Sequence, residues 1–387
     1  MRGGRDLSSR LHRAALAGAD PERAVRRALS RPDVARALAG ARSVGIFAAG
    51  KAAAAMARGA RSARPSRSLI VLPRGHAPAG LDPRDVLFAA HPEPDGSSAR
   101  AARQALAFFA SFGAPDVILC LVSGGTSSLL ALPRAGWTLA AKRRAVRELA
   151  RTGASILALN RLRTSLSAVK GGRLGRATRA RLVTLVLSDV PGDRAGAVGS
   201  GPTVRGRKGD VVRIVASNRA GLDAAAREAR RLGWRVVRVR RRLAGEARAA
   251  GARLARAAAK MPAGSVLIAG GETVVTLGDK YGRGGRCLEL ALGAALELGG
   301  RKDVTLLAAS SDGLDGSSGA AGARVDGRTL ARSRRAGRDP ESDLRHHDTR
   351  PLFEAVGGLF VTGPTGNNVG DWVFAARRPA GKRPGPI

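Results

Sequence analysis

Aromatic residues make up only 3% of these 387 residues, with a single tyrosine, so the core must be built from alanine, valine and leucine. The same scarcity removes the stacking platforms that single-stranded nucleic-acid binders use. Only two cysteines occur, Cys120 and Cys287, far apart and in unlike contexts. That excludes a disulfide framework and any zinc-finger spacing. No apolar run approaches the ~18 residues of a membrane span, and Arg10, His12 and Arg13 break the opening stretch as an export signal. A soluble, cytoplasmic protein with no membrane role is expected.

Acid is also scarce. Thirty Asp and Glu face 67 Lys and Arg, a formal charge of +37. Such a balance suggests a nucleic-acid partner, but the distribution speaks against a dedicated one. The basic residues are mostly arginines spread along alanine-rich helical stretches such as 224–231 and 246–259. The positive field would still gather an anionic substrate.

Apolar residues at 44% and a length of 387 residues allow two globular domains, each with its own core. Short helices are expected over 7–39. Strand-like runs at 43–48, 68–73, 86–90, 117–122, 182–188, 211–217, 265–270, 304–310 and 358–363 alternate with helical patterns at 98–112, 138–167 and 246–261. The run from 211 to 239 reads as strand, helix and strand, a βαβ unit. This alternation predicts α/β architecture, with mostly parallel or mixed sheets flanked by helices. The boundaries expected are 1–261, 262–376 and a disordered basic tail at 377–387.

Glycine, with 51 residues, is abundant, and three late strands open into glycine-rich loops: GGETVVTLGDKYGRGGR (270–286), SSDGLDGSSGAAGA (310–323) and TGPTGNNVGD (362–371). Strands that end in glycine, acid and amide residues are how α/β proteins build ligand sites. Earlier, Lys51 follows Gly50 at a strand-to-helix turn, where nearby amides are expected to point toward an anion. Ser123-Gly124-Gly125 opens a second small-residue loop suited to phosphate or carboxylate. Asn160 and Arg163 share a helix face that runs on to Lys170. Asp189 and Asp193 follow a central strand, where a carboxylate pair can hold Mg²⁺ or accept a hydroxyl proton. Asp312 and Asp315 offer similar chemistry. Arg286 is a cation at the positive end of a helix, which calls for an anion; Glu272 and Glu289 could supply it as structural ion pairs. His91 and the pair His346-His347 have no clear acid partner and read as structural or surface residues.

Together these segments resemble the glycerate 2-kinase family, an N-terminal kinase domain joined to a C-terminal MOFRL domain. AAGKAAAAMA, HPEPDG, LVSGGTSSLL, LNRLRTSLSAVKGGRLG, LSDVPGDRAGAVGSGPT and the three glycine-rich loops run in the family's order, from about Ser43 to Phe374. The resemblance implies a Rossmann-like N-terminal domain, an active site in a cleft between domains, and ATP-dependent, Mg²⁺-assisted phosphorylation of the 2-hydroxyl of D-glycerate. It implies Lys51, Asp193 and Arg286 as catalytic residues and Asp189 as a metal ligand. The nucleotide is expected on Ser123, Gly124, Gly125, Asn218, Gly270, Gly271 and Glu272, and the acceptor on Asn160, Arg163, Lys170 and Asp312. A homodimer is left open. The chain departs from the family pattern at Cys287, Leu288, Gly319, Thr164, Ser165, Ala158, Thr126 and Arg194. These departures imply an acceptor other than glycerate or a reduced activity. A hydroxypyruvate reductase is the second reading, but GIFAAGK lacks the dinucleotide fingerprint. A ligand-binding protein without turnover is the third.

Overall fold

The computed structural model describes residues 7–152, 156–278 and 280–379. It divides into two compact units, Asp20–Ser217 and a second that joins Met1–Ala19 to Asn218–Ile387. The chain opens with α1 (Leu7–Gly18) in the second unit. The first unit then contains α2 (Pro21–Leu29), α3 (Pro32–Ala39), β1 (Val44–Ala49), α4 (Ala53–Gly59), β2 (Arg67–Pro73), β3 (Val86–Ala89), α5 (Gly96–Ala110) and β4 (Val117–Val122). It continues through α6 (Thr126–Leu129), α7 (Leu139–Arg151), α8 (Ile156–Ser165), β5 (Arg181–Ser188) and β6 (Val211–Ser217).

Its six strands are all parallel, in the order β3-β2-β1-β4-β5-β6. β4 is buried along its whole length, which explains its unbroken apolar sequence VILCLV. One face packs Phe47 and Cys120 against Phe108, Phe109 and Ala105 of α5. The strand order reverses direction between β1 and β4. In doubly wound sheets that reversal opens a crevice at the carboxyl ends of the strands, where ligands bind.

The second unit holds α9 (Asn218–Arg231), β7 (Arg235–Arg238), α10 (Ala247–Lys260), β8 (Ser265–Gly271), α11 (Arg286–Leu298), β9 (Val304–Ser310) and β10 (Gly322–Asp326). It ends with α12 (Thr329–Arg335), α13 (Pro340–Arg345), α14 (Thr349–Ala355), β11 (Leu359–Phe360) and β12 (Asp371–Arg377). Its sheet is mixed, ordered β11-β10-β9-β12-β8-β7; β7 and β8 pair in parallel and the other neighbours pair antiparallel. Leu254, Leu290, Leu292, Phe353 and Val373 are among the residues of its core.

The structure departs from the sequence pattern at several places. The 211–239 run is not a βαβ unit, because β6 closes one sheet and β7 edges the other. The pattern fixes the element types but not which strand edge the second strand joins. The boundary expected near Met261 lies inside one compact unit, because β7 pairs with β8 and α1 packs on α9 and β12. His12 of α1 is fully buried between Phe360 and Trp372, and burial pushes its pKa down to about 4. The helix expected to run on to Lys170 stops at Ser165: Ala168 N–H donates to Leu132 O at 2.9 Å and Ser167 bridges to Pro133, so the backbone pairs sideways. Of the expected tail, Arg377 belongs to β12 and residues 380–387 lie outside those described. Among the described residues no helix is long and apolar enough to cross a membrane.

Candidate active site

The carboxyl ends of β1 and β4 are stitched together at the strand-order reversal. Lys51 N–H donates to Gly124 O at 2.9 Å, Ala52 N–H to Ser123 Oγ at 3.1 Å, and Thr126 Oγ1 to Ala49 O at 2.8 Å. The amides beside Lys51 are therefore engaged within the protein and do not await an anion, contrary to the sequence expectation. The Lys51 side chain at this turn is half-buried. A Cβ built on Gly125 would lie 3.2–3.3 Å from the His91 ring and 3.4 Å from Lys51 Cγ, so His91 belongs to the same neighbourhood. Sequence reading missed it, for want of an acid near it in the chain.

Gly50 makes this junction possible. Its φ is +120°, and a Cβ there would sit 2.2 Å from Ser123 Oγ and 2.7 Å from Ser123 O. Gly50→Ala is expected to destabilise the protein by about 2 kcal/mol or more, read from the shift of the urea midpoint. An unchanged midpoint would mean that the junction is not tight.

The loop after β4 leads into α6, where Ser127 Oγ lies 3.2 Å from Ser200 Oγ and accepts from Lys170 Nζ at 2.5 Å. Ser200 lies beyond β5, in a segment with left-handed backbone at Gly192, Asp193 (φ 47°), Gly199, Ser200 (φ 64°) and Gly201. Non-glycine residues held in that conformation cluster at functional sites. Asp189 and Asp193 lie on this segment, next to the β4 loop through the parallel pairing of β4 with β5. Asn160 Oδ1 accepts from Arg163 Nη1 at 3.2 Å, which confirms their shared helix face. Lys170 is 4% exposed. Burial, together with the charges of Lys142 and Arg163, pushes its pKa down to about 7.

A second cluster forms in the other unit, around Arg286 at the first turn of α11. Its guanidinium pairs with Glu272 and with Asp371 Oδ1 at 3.2 Å. The anion that the helix start demands is largely internal: the buried Asp315 carboxylate accepts from Leu288 N–H at 2.9 Å. Glu289 does not pair with Arg286; its Oε1 meets His347 Nδ1 at 2.8 Å, so His347 does have an acid partner. Asp371 was overlooked as a partner because it trails the TGPTGNNVGD loop, 85 residues from Arg286. Burial pushes the Asp371 carboxyl up to about 7, against the pull of Arg286, and pushes Asp315 up to about 6, against its backbone donors. Burial alone would depress the Arg286 guanidinium, but the Asp371 and Glu272 charges outweigh it and raise its pKa. Asp312 accepts from Ser310 Oγ at 2.7 Å and Leu314 N at 3.0 Å, bonds that shape its own loop.

Asn218 braces this unit. Its buried Nδ2 donates to Val369 O at 2.9 Å and Asp371 O at 3.1 Å, and a Cβ at position 270 would strike its Oδ1 at 2.1 Å. Gly270 thus owes its identity to Asn218. Among the described residues no group of three or more His, Cys, Asp or Glu is arranged to hold a metal ion.

A six-stranded parallel sheet in this order, with a lysine and a small-residue loop at its reversal point, defines a doubly wound α/β protein, a class that binds ligands at the carboxyl ends of its strands. Residues 7–231 match the family described as Domain of unknown function (DUF4147), and residues 265–371 match the MOFRL family. A protein of Agrobacterium vitis provisionally named hydroxypyruvate reductase is 38% identical, over 95% of this chain and 93% of its own. The glycerate 2-kinase of Pyrococcus horikoshii is 32% identical, over 96% and 97%. The crystal structure of glycerate kinase from Thermotoga maritima superposes with a TM-score of 0.83 at 31% identity, covering 96% of this chain and 98% of that one. The chain belongs to the glycerate 2-kinase family. The first family match includes α1 and α9, which pack in the other compact unit, so descent and contact divide the chain differently.

Proposed function

We propose that this protein transfers the γ-phosphoryl group of ATP to the 2-hydroxyl of D-glycerate or a closely related small hydroxy acid. The observation that carries the reading is the Lys51 junction at the strand-order reversal of the parallel sheet, in a chain related over nearly its whole length to glycerate kinases. Phosphoryl transfer asks little covalent chemistry of a protein; it asks for positioned positive charge and an oriented acceptor hydroxyl. Lys51 would neutralise charge on the transferred group. Asp193, held in a left-handed turn, would accept or orient the acceptor proton. The Ser123-Gly124-Gly125 loop, with Gly270, Gly271 and Glu272, would border the nucleotide, with Asn218 acting indirectly by fixing Gly270. Arg163, Lys170 and Asn160 would bind the acceptor, and Asp312 would shape the acceptor side through its own loop. Arg286 would complete the cationic set, oriented by Asp371 and Glu272.

Mg²⁺ usually reaches kinases on the nucleotide phosphates, with one or two carboxylates to hold it. Asp189 is the carboxylate proposed for it, and the ion would supply charge neutralisation between the phosphates. The hydroxypyruvate reductase name borne by relatives is not favoured, since Gly50-Lys51 stands where a reductase needs its glycine fingerprint. A coupled assay for ADP release, run over a panel of small hydroxy acids with ATP and Mg²⁺, tests the reading. Turnover is expected with D-glycerate or a near relative, and none with hydroxypyruvate and NADH. ADP release absent over the whole panel would refute the kinase reading.

A further inference from the structure

We infer that Lys142 and Lys170, with Ser127, form a buried oxyanion subsite that takes the carboxylate of the acceptor, and that Lys142 sets the acceptor's affinity. Lys142 lies one turn into α7, a helix opened by Thr138, whose Oγ1 accepts from Ala141 N at 3.0 Å and whose carbonyl accepts from Lys142 N at 3.0 Å. The residue is 6% exposed, and its Nζ is buried with no hydrogen-bond partner. Its electrostatic neighbours are all cations: Arg163 and Arg173 act on Lys142, and Lys142 and Arg163 act on Lys170. Arg173 is satisfied by the carbonyls of Thr164 and Lys170 at 2.7 and 3.1 Å, Arg163 by Asn160, and Lys170 by Ser127. Among the described residues no carboxylate pairs with any of the four.

This is not how the chain treats a structural buried cation. In the same unit Arg205, whose side chain is 4% exposed, is paired with Asp210 at 2.8 Å and with the carbonyls of Thr178 and Ala180 at 2.9 and 2.7 Å. Clustered buried ammonium groups without counter-charge destabilise a fold; a bound oxyanion removes that penalty. The subsite also lies where an acceptor is wanted: Ser127 sits in the first turn of α6, directly after Gly124 and Gly125, and contacts Ser200 of the segment that follows Asp193. Only eight of the 67 basic residues are lysines, and three of them, Lys51, Lys142 and Lys170, lie in this unit near these loops. A lysine delivers a compact charge to a carboxylate without the width of an arginine fork.

The identity of the anion rests on the kinase reading; the existence of the subsite does not. The test compares the full chain with Lys142→Met, which keeps the apolar stem and removes the charge, and with Arg144→Met, an exposed control on the same helix. Thermal unfolding is followed without ATP while D-glycerate or inorganic phosphate is added, and steady-state KM values are measured with ATP. Lys142→Met is expected to melt higher than wild type when ligand-free, to need about tenfold or more D-glycerate for the same stabilisation, and to show a matching rise in acceptor KM with ATP KM unchanged. Arg144→Met should behave as wild type. If D-glycerate stabilises wild type through Lys142 but no phosphoryl transfer occurs, the subsite stands and the kinase reading falls. A lower ligand-free melting temperature in Lys142→Met would make Lys142 a structural residue. Stabilisation by phosphate but not D-glycerate, or by neither, would overturn the carboxylate assignment.

Discussion

Lys51→Ala lowers kcat by about 10²–10³-fold, the scale of losing one preorganised charge from a transition state, while leaving the unfolding midpoint close to wild type. The two halves of that expectation come from different atoms. The junction is held by backbone groups and by Ser123 and Thr126, through Lys51 N–H to Gly124 O, Ala52 N–H to Ser123 Oγ and Thr126 Oγ1 to Ala49 O. Alanine keeps the backbone bond from position 51 to Gly124 O. The side chain lies at the reversal point of the sheet, beside Gly125 and His91, where the charge of a phosphoryl group would develop. Arginine should not restore the rate, because its planar fork cannot occupy the place of a compact ammonium. An unchanged kcat in Lys51→Ala would remove Lys51 from the site.

Arg286→Ala is expected to fail in two separable ways. It should cut kcat/KM by a factor on the order of 10² or more, as loss of a transition-state cation does. It should also destabilise the second unit, because Asp371 and Glu272 lose their partner. Breaking a fully buried pair costs about 3–5 kcal/mol; the guanidinium is 34% exposed, so about 2 kcal/mol is the discounted figure. The pH dependence separates this from a simple packing defect. The folded Asp371 carboxyl is raised to about 7 by burial, so its contribution to stability is full below the ordinary carboxylate range and is lost as pH rises through about 7. Arg286 opposes that shift, so its removal raises the carboxyl further and extends the loss upward. The deficit in melting temperature between Arg286→Ala and wild type should therefore widen from pH 6 to pH 8. A deficit independent of pH would show that Asp371 and Arg286 are not coupled.

Most of the architecture was legible because each strand announces itself locally. VILCLV is apolar throughout since both faces of β4 are covered, and Gly50 marks a turn that no other residue can make. Partnerships made across the fold were not legible. Nothing near His347 in the chain points to Glu289, 58 residues away. Asp371 looked like a loop terminus and not the counter-charge of Arg286. Sheet membership was hidden for the same reason: the run through β6, α9 and β7 has βαβ periodicity, but the edge that β7 joins depends on the exposed side of β8. Lys142 went unnoticed because on α7 it is one cation among KRR, and only burial distinguishes it from Arg143 and Arg144.

The most direct test of the central claim is the ³¹P NMR spectrum of the product formed from D-glycerate, ATP and Mg²⁺. The account predicts a new monoester resonance that coincides with added 2-phosphoglycerate, formed in step with ADP and absent in Lys51→Ala. A resonance that coincides with 3-phosphoglycerate, or ATP left intact after long incubation across the hydroxy-acid panel, would contradict it.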